Sequence, residues 1–427
     1  MNFAPNHDSH FFSCTKAAKT VVYKGAMPSR TPKRTKIEAK NDEVTVPSGT
    51  TDQDDKHVVF TRWAENRGVE INGVAPSKLE GRGLGLMTTR KIKSGERMLS
   101  IPEKAMFKPD PKLLKQQRLE RASPQAQLAF SAMSACKAKE TGLGVWQATW
   151  PEAEDFWQSM PMCWGEDTRG KLPPSVQQPL ERQLADYRKD WTALADVCRK
   201  HDYSEDDFKY FWMIVNSRSF HWKPPKGRPG SMVMCPFVDY MNHGPTGTTC
   251  QVTTDQHGYE VHADRDYEAG DEVLATYGAH SNDKLLVHYG FVIDSPYGVP
   301  SPDDDIRLDH ILLPKLEERV KTQLQDVGFL GAYALLPQSN ELCFKTQVAV
   351  RAQLLTANEW EYFMTNGEDM SSDQSEAVKA FMVPLMRTYH DECSMRISSI
   401  GEGNPAADLV KTRWTQIQSA VDAYLDE

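Results

Sequence analysis

The sequence lacks the cysteine pairs that mark zinc-ribbon or disulfide-rich proteins. Its eight cysteines include no Cys-x-x-Cys pair, so we expect neither a zinc ribbon nor a dense disulfide framework. A reducing, intracellular compartment is the environment that fits such a set of separated thiols.

Long apolar runs and an excess of positive charge are also missing. No stretch approaches the roughly 18 apolar residues of a membrane-spanning helix, and the first residues lack the apolar core of a secretory signal. We therefore expect a soluble protein with no membrane partner. The net charge of −9 and the pI near 5.8 argue against a protein that coats nucleic acid, and they favour a basic substrate segment.

The chain is long enough for two folded domains, because it has 427 residues with 39% hydrophobic content. Residues 1–56 differ from the rest: the first forty contain eight Lys or Arg and two acidic residues, and an acidic linker follows. Few apolar residues and high charge predict a disordered tail. Its basic cluster at 28–36 is interpreted as a nuclear address or part of an organellar presequence, or as a solvated tail without an address.

Two patterns begin the ordered part of the chain. Residues 58–67 predict an amphipathic helix that ends at Arg67-Gly68. The segment Gly81-Arg-Gly-Leu-Gly-Leu86 has a glycine spacing close to a dinucleotide fingerprint, but no buried strand precedes it and no helix follows. It is therefore interpreted as a glycine loop that a ligand can approach closely, or as a plain turn, followed by a β-hairpin that turns at residues 94–96.

A helical, tryptophan-rich segment occupies about residues 108–225. Apolar residues from Leu180 to Cys198 recur at intervals of three and four, which predicts one helix with a buried stripe. Ser204 and Asp207 form the capping-box pattern of the next helix. That helix ends at the segment Ser217-Arg-Ser-Phe220.

Residues 233–291 combine strands with a high density of polar and aromatic residues. A short apolar run ends at Asp239-Tyr-Met-Asn-His243, and strands are predicted at 257–263 and 271–277, the second ending at Tyr277. A metal site at Asp239 and His243 is one reading of the cluster, but no second ligand set falls at suitable spacing, so a hydrogen-bonded turn is favoured and no metal is expected.

These segments, in this order, resemble the SET-domain protein-lysine methyltransferases. The matching pieces are GRGLGL, SRSF, DYMNH, TYG, SND-x-LL and YGF. The long insert and the helical tail resemble the branch typified by the Rubisco large-subunit methyltransferase and the ribosomal-protein lysine methyltransferases. The cysteine-rich zinc segment of many histone-directed SET domains is absent.

The resemblance implies an α+β fold. A SET β-fold with a pseudoknot would cover residues 57–293 with the helical insert inside it, and an all-α C-terminal domain that contributes to substrate binding would cover 306–427. The pseudoknot would bring the glycine loop, the Asn-His pair and the Tyr-Gly segments to one site. We expect a monomer.

The resemblance also implies the cofactor and its contacts. S-adenosyl-L-methionine would bind along the backbone at Arg82, Gly83 and Leu84. The further cofactor-binding residues implied in this way are Arg218, Asn242, His243 and Phe291. Asp239 is expected to be structural, holding a backbone turn or Arg218.

The acceptor lysine of a protein substrate, possibly a ribosomal or nuclear one, would enter a channel walled by Phe220, Tyr259 and Tyr289, with the catalytic Tyr277 at its inner end. A lysine with a pKa near 10.4 needs roughly 4–5 kcal/mol to lose its proton at neutral pH, and aromatic walls lower that pKa by removing water. Two alternatives remain at this stage: a SET-fold binding module without activity, and a methyltransferase with a histidine acceptor. A nuclear or cytoplasmic location is expected, or an organellar one if the basic tail is a presequence.

Overall fold

A computed structural model provides the three-dimensional description of the protein. It describes residues 52–426 except 139–141, 223–229, 255–256, 294–299, 371–373 and 402, with side chains from residue 56 onward. Most of the predicted tail, including its basic cluster, lies outside the described residues.

Thirteen strands occur in the described part of the chain. In chain order they are β1 (Glu70–Ile71), β2 (Val74–Leu79), β3 (Gly83–Thr88), β4 (Arg97–Pro102), β5 (Ser219–Trp222), β6 (Ser231–Met234), β7 (Asn242–His243), β8 (Gln251–Thr254), β9 (Gly258–His262), β10 (Glu272–Ala275), β11 (Ile306–Arg307), β12 (Ala334–Leu336) and β13 (Glu341–Leu342).

The helices connect and cover these strands. In chain order they are α1 (Asp52–Glu65), α2 (Pro111–Gln117), α3 (Pro124–Ala138), α4 (Leu143–Gln147), α5 (Ala153–Ser159), α6 (Glu166–Arg169), α7 (Pro174–Lys200), α8 (Glu205–Arg218), α9 (Asn282–Tyr289), α10 (Asp309–Leu312), α11 (Glu318–Asp326), α12 (Phe344–Leu354), α13 (Ala357–Asn366), α14 (Ser375–Ser399) and α15 (Pro405–Asp426).

Two small four-stranded sheets position the motif segments identified in the sequence. One sheet has the order β1-β4-β9-β8, and the other has the order β2-β3-β10-β7. The predicted hairpin is wrong: residues 94–96 do form a turn, with the amide of Glu96 bonded to the carbonyl of Lys93 at 2.9 Å, but β3 and β4 belong to different sheets. The turn therefore carries the chain from one sheet to the other.

The helical insert folds as its periodicity predicts. Helix α7 contains the apolar stripe, with Leu180, Leu194 and Cys198 buried. Helix α8 begins at the capping box of Ser204 and Asp207, in which both reciprocal hydrogen bonds are present. The capping box stabilises the start of α8, and Arg218 is the last residue of this helix.

An aromatic cluster joins helix α1 to the insert. The ring of Phe60 lies 5.4 Å from Phe237 and 5.8 Å from Trp146, both in stacked orientations, and 5.7 Å from Tyr240. Phe60 and Trp146 are fully buried. Because Phe237 and Tyr240 flank Asp239 in the sequence, the packing of their rings in this cluster stabilises the backbone at the start of the segment 239–243.

The C-terminal region is mostly helical, but it also contains a small sheet, so the prediction of an all-α domain is wrong in this respect. Strands β11, β12 and β13 form this antiparallel sheet. Their pairing is short, two residue pairs at each junction, which explains why no alternating pattern was visible.

A buried charge cluster connects α15 to the start of α9. Arg413 is fully buried; its Nε donates to Asp283 Oδ1 at 2.6 Å and its Nη1 to Asp304 Oδ2 at 2.8 Å. Asn282 joins the cluster through its backbone N–H, which donates to Asp304 Oδ1 at 2.8 Å. The C-terminal helix is thus tied to the segment that follows Tyr277. None of the helices in the described part of the chain has the length and apolar character of a transmembrane span.

Candidate active site

Parallel pairing between β7 and β10 builds the centre of the site. Asn242 lies beside Leu274 and His243 beside Ala275 in this pairing. The amide of Gly244 continues it by donating to the carbonyl of Ala275 at 3.0 Å. The Asn-His pair is therefore placed next to the end of the strand that leads to Tyr277, although β10 stops two residues earlier than predicted.

Three rings surround the position of Tyr277. Its ring centroid lies 4.8 Å from Tyr289, 5.1 Å from His243 and 6.4 Å from Phe291. Tyr289 is the last residue of α9, and Gly290 ends the helix in the left-handed conformation with φ of 78°. This turn directs Tyr289 and Phe291 to the same cluster.

A cavity of about 180 Å³ opens beside this cluster. Six of the predicted site residues line it: Leu84, Arg218, Asn242, Tyr277, Tyr289 and Phe291. The other lining residues are Pro151, Asp155, Phe156, Ser159, Ser217, Asp239 and Tyr240. Because drug-sized ligands occupy clefts of about 300–1,000 Å³, this cavity matches one end of a ligand or one side chain.

The remaining predicted residues lie outside the lining of this cavity. Arg82 and Gly83 are exposed at the glycine loop. Phe220 and Tyr259 pack against each other, with ring centroids 6.0 Å apart, and the hydroxyl of Tyr259 donates to the carbonyl of His221. Tyr259 belongs to the sheet that does not contain β10. The channel role of these two aromatic residues stays a prediction.

Arg218 and Asp239 make the contact that the sequence analysis expected. Arg218 Nη1 donates to the backbone carbonyl of Asp239 at 2.7 Å and lies 3.6 Å from its carboxylate oxygen Oδ2. The same Oδ2 accepts a hydrogen bond from Trp146 Nε1 at 3.0 Å. The Asp239 side chain is 2% exposed, and burial raises the pKa of its carboxyl group to about 6.

Glu272 is a site residue that the sequence analysis missed. Its Oε1 accepts from Asn242 Nδ2 at 2.9 Å, and its Oε2 pairs with Arg82 Nη1 at 2.7 Å. The carboxylate therefore orients one predicted cofactor residue and holds another. In the sequence, Glu272 is only a polar residue next to Val273 in an alternating strand. Its contacts with Asn242 and Arg82 become apparent only when β10 is paired with β3 and β7.

The insert also supplies residues that no motif indicated. Phe156 and Ser159 of α5 line the cavity, and Trp146 of α4 reaches Asp239 from behind. These positions lie in a segment whose pattern predicts only buried helix faces. Their approach to the site follows from the tertiary packing of the insert.

Histidine 243 is neutral at physiological pH. Burial lowers the pKa of its imidazole to about 4, with a further contribution from His280. Its Nδ1 accepts a hydrogen bond from the amide of Tyr277 at 3.1 Å, so the proton of the neutral ring is assigned to Nε2. That nitrogen is buried and has no partner among the described residues.

The Tyr277 hydroxyl is held in a fixed direction. It donates to the backbone carbonyl of Met241 at 2.9 Å. Burial raises the pKa of this phenol above its ordinary value. The neutral hydroxyl is therefore a positioned dipole. Elsewhere, no group of three or more His, Cys, Asp or Glu side chains suited to hold a metal ion occurs in the described residues.

Comparisons with known proteins find similarity over the same part of the chain. The family model described as SET domain matches residues 83–278. Human SET domain-containing protein 4 is 21% identical over 297 residues, which cover 64% of this chain and 67% of that protein. Ribosomal lysine N-methyltransferase set11 of Schizosaccharomyces pombe is 24% identical over 222 residues, 48% of this chain and 56% of that protein.

A third relative carries a different acceptor in its name. The actin-histidine N-methyltransferase of Rhinolophus ferrumequinum is 25% identical over 264 residues, 55% of this chain and 42% of that protein. Among solved structures, the SET domain of LSMT bound to lysine and AdoHcy superimposes with a TM-score of 0.57 at 15% identity, covering 87% of this chain and 92% of that one.

Residues 83–278 of the chain therefore match the SET domain in sequence. Its similar proteins include a ribosomal lysine methyltransferase among the sequence relatives, and its fold is shared with that of LSMT.

Proposed function

We propose that this protein transfers a methyl group from S-adenosylmethionine to the side-chain amine of a lysine in a protein substrate. The observation that carries the proposal is the convergence of residues from distant segments on one cavity: Arg218 from the insert, Asn242 from β7, and Tyr277, Tyr289 and Phe291 from the segment around α9.

The residues present fit this cofactor. Added side-chain atoms at Gly83 would meet no other atom within 4 Å, so the exposed glycine loop leaves its backbone open to a ligand. Arg218 provides a cation at the cavity for a carboxylate. The buried Nε2–H of His243 is a donor without a partner among the described residues. Solved structures with a similar fold include Rubisco LSMT bound to AdoMet and the SET domain of LSMT bound to lysine and AdoHcy.

The cofactor supplies a sulfonium methyl group as the electrophile. Arg82, Gly83, Leu84, Arg218, Asn242, His243 and Phe291 are assigned to its binding. Glu272 joins this set as a positioning residue, because it fixes the side chain of Asn242 and the guanidinium of Arg82. Displacement at a methyl carbon needs the amine and the leaving sulfur in line, so positioning is the main contribution of the protein.

The acceptor side has to hold a neutral amine. Tyr277 and Tyr289 form an aromatic wall around the cavity. Aromatic walls exclude water, which lowers the pKa of an amine, and their faces accept the cationic methylated product. Phe220 and Tyr259 are assigned to the outer part of this channel.

Tyr277 orients the amine and does not act as a general base in this proposal. Its hydroxyl is committed as a donor to Met241 O, and its pKa is raised above the ordinary value. The oxygen retains lone pairs that accept a hydrogen bond from the incoming amine.

A histidine acceptor is the second candidate, because relatives named actin-histidine N-methyltransferase match more than half of the chain. The aromatic cavity accepts an imidazole as well as an alkylamine. Identifying the methylated residue in the product therefore distinguishes a lysine acceptor from a histidine acceptor.

The test is methyl transfer to proteins from a cell lysate, with isotope-labelled S-adenosylmethionine and mapping of the label by mass spectrometry. The expected result is labelled lysine in one or a few proteins, with the Tyr277→Phe variant as the matched control. Labelled histidine would overturn the lysine assignment. Absence of both labelling and cofactor binding would overturn the enzyme assignment.

A further inference from the structure

A group of basic residues lies at helix α9 and is not used by the proposed function. It comprises His280, Lys284 and His288, spaced four residues apart. Lys284 and His288 lie one turn apart on the same face of α9. His280 precedes the N-cap residue Ser281. We refer to these three residues as the α9 basic group.

The α9 basic group borders the acceptor side of the site. The ring of His280 stacks on Tyr289 with centroids 6.5 Å apart, and Tyr289 in turn lies 4.8 Å from Tyr277. A side-chain carbon added at Gly278 would lie 2.6 Å from His280 Cε1. The imidazole is thus packed against the Tyr-Gly segment, one ring away from the cavity.

The charge of Lys284 is not balanced by a carboxylate in the described part of the chain. Lys284 is exposed and forms no ion pair there. Of the carboxylates nearby, Asp283 pairs with Arg413. Asp303 accepts hydrogen bonds from the backbone amide and hydroxyl of Thr246 at 2.7 and 2.8 Å, and its charge acts on His280 rather than forming an ion pair with Lys284.

The electrostatics agree with an unsatisfied cation. Burial and the charge of Lys284 lower the pKa values of His280 and His288, the latter to about 4. Partial burial also lowers the pKa of Lys284. The two imidazoles are therefore neutral hydrogen-bonding groups beside one ammonium group. An anion placed here would pair with the ammonium group of Lys284 and accept a hydrogen bond from the N–H of a neutral imidazole.

We propose that the α9 basic group binds a carboxylate side chain, aspartate or glutamate, that lies close to the acceptor residue in the substrate protein. The inference rests on the proposed function, since it defines a specificity subsite beside the same cavity. Lys284 supplies the charge, and His280 supplies a ring nitrogen next to Tyr289. The subsite selects acidic residues locally, while the chain as a whole carries a charge of −9.

The experiment uses the full-length protein and a peptide array. Each peptide carries one lysine at its centre and Asp, Glu, Ala or Lys at each flanking position in turn. Methyl transfer and the KM for peptide are measured for the wild type, Lys284→Met, Lys284→Glu and the control Lys115→Glu, which changes an exposed lysine of α2 in the same way. The Kd for S-adenosylmethionine is measured in parallel.

The wild type is expected to prefer an acidic residue at one or two flanking positions, with a KM about two- to fivefold lower than with alanine, the size of an exposed ion pair. Lys284→Met removes this preference, Lys284→Glu reverses it towards lysine, and Lys115→Glu keeps it.

Methylation without an acidic preference, or a preference that survives Lys284→Met, overturns the subsite. A changed Kd for S-adenosylmethionine with unchanged peptide KM assigns the group to the cofactor and also overturns it. Failure to methylate any lysine peptide or lysate protein is a failure of the proposed function instead.

Discussion

Arg218 and Asp239 are paired where helix α8 meets the polar segment. Arg218 bonds the carbonyl of Asp239 and faces its carboxylate, which Trp146 also bonds. Removing one member of a buried pair leaves the other without compensation. The cation therefore contributes to the fold, and in the proposed function it also binds the cofactor.

The variant Arg218→Met separates these two effects. We expect the affinity for S-adenosylmethionine to fall by about 10- to 150-fold, the value of a hydrogen bond to a charged group, together with a lower free energy of unfolding. Calorimetric titration and denaturant unfolding measure the two quantities. Arg319→Met is the control, because Arg319 is exposed and its ion pair among the described residues is with the exposed Glu317. An unchanged cofactor affinity would contradict the assignment of Arg218.

His243 and Asp239 give opposite pH dependences. The pKa of His243 is lowered from 6.5 to about 4 in the folded state, so its contribution to stability is present above pH 6.5 and is lost as the pH falls towards 4. The pKa of Asp239 is raised from 3.8 to about 6, so its contribution is present below pH 3.8 and is lost as the pH rises through 6.

The variant His243→Gln isolates the histidine contribution. As the pH falls from 6.5 to 4, the wild type is expected to lose stability more steeply than the variant. Only in the wild type does the imidazole of His243 take up a proton when the chain unfolds, and this uptake favours the unfolded state at low pH. Unfolding in urea at several pH values measures the difference. Parallel curves for the two proteins would show that His243 does not titrate as its burial requires.

At the scale of elements, α9 joins the site to the C-terminal region. Its first residues, Asn282 and Asp283, contact Asp304 and Arg413, and its last residue, Tyr289, lines the cavity. The SND-x-LL segment therefore has a structural explanation: its polar residues form the connection to α15, and its leucines are buried.

The variant Arg413→Met tests this connection. It leaves Asp283 and Asp304 buried without their cation, so we expect a loss of about 3–5 kcal/mol in the free energy of unfolding and a lower kcat as α9 loosens. Arg396→Met on α14 removes an exposed i,i+4 pair with Glu392 and should cost less than about 1 kcal/mol. Equal effects of the two substitutions would remove the special role of Arg413.

The glycine loop offers a second test at this scale. A side-chain carbon at Gly85 would lie 2.5 Å from Leu79 Cδ1 and 2.8 Å from Asn242 Nδ2. We expect Gly85→Ala to cost about 1–3 kcal/mol and to weaken cofactor binding by displacing Asn242. Gly144→Ala on α4 meets no atom within 4 Å and should leave both quantities unaffected or slightly raise stability. Thermal unfolding and cofactor titration of both variants decide the matter.

Elements with a strong local signal were predictable from the sequence. The stripe of α7 and the capping box of α8 were both found, because periodicity and caps are local properties. The hairpin after the glycine loop was wrong, since β3 and β4 pair with distant strands. Sheet partners are set by tertiary packing, which neighbouring residues do not encode.

The site was predictable only where a motif marked it. The ordered segments indicated Arg218, Asn242, Tyr277, Tyr289 and Phe291, all of which line one cavity. No motif marks Glu272, Trp146 or the α5 residues. They contribute through contacts with side chains that are distant in the sequence, and such contacts leave no local pattern.

At the scale of the whole molecule, three parts of the chain build one site. The two small sheets present the cofactor and tyrosine segments, the insert adds one wall of the cavity, and α15 fixes the start of α9. The monomeric state, the domain boundaries and the nuclear, cytoplasmic or organellar location remain predictions from the sequence.

The central claim is that Tyr277 positions the acceptor for methyl transfer. The most direct measurement compares the rate of methyl transfer by the wild type and by Tyr277→Phe, with the Kd for S-adenosylmethionine determined for both. The account predicts a rate lower by on the order of 100-fold or more, an unchanged Kd, and a stability loss of about 1 kcal/mol from the missing bond to Met241 O. A variant that transfers methyl groups at the wild-type rate would contradict it.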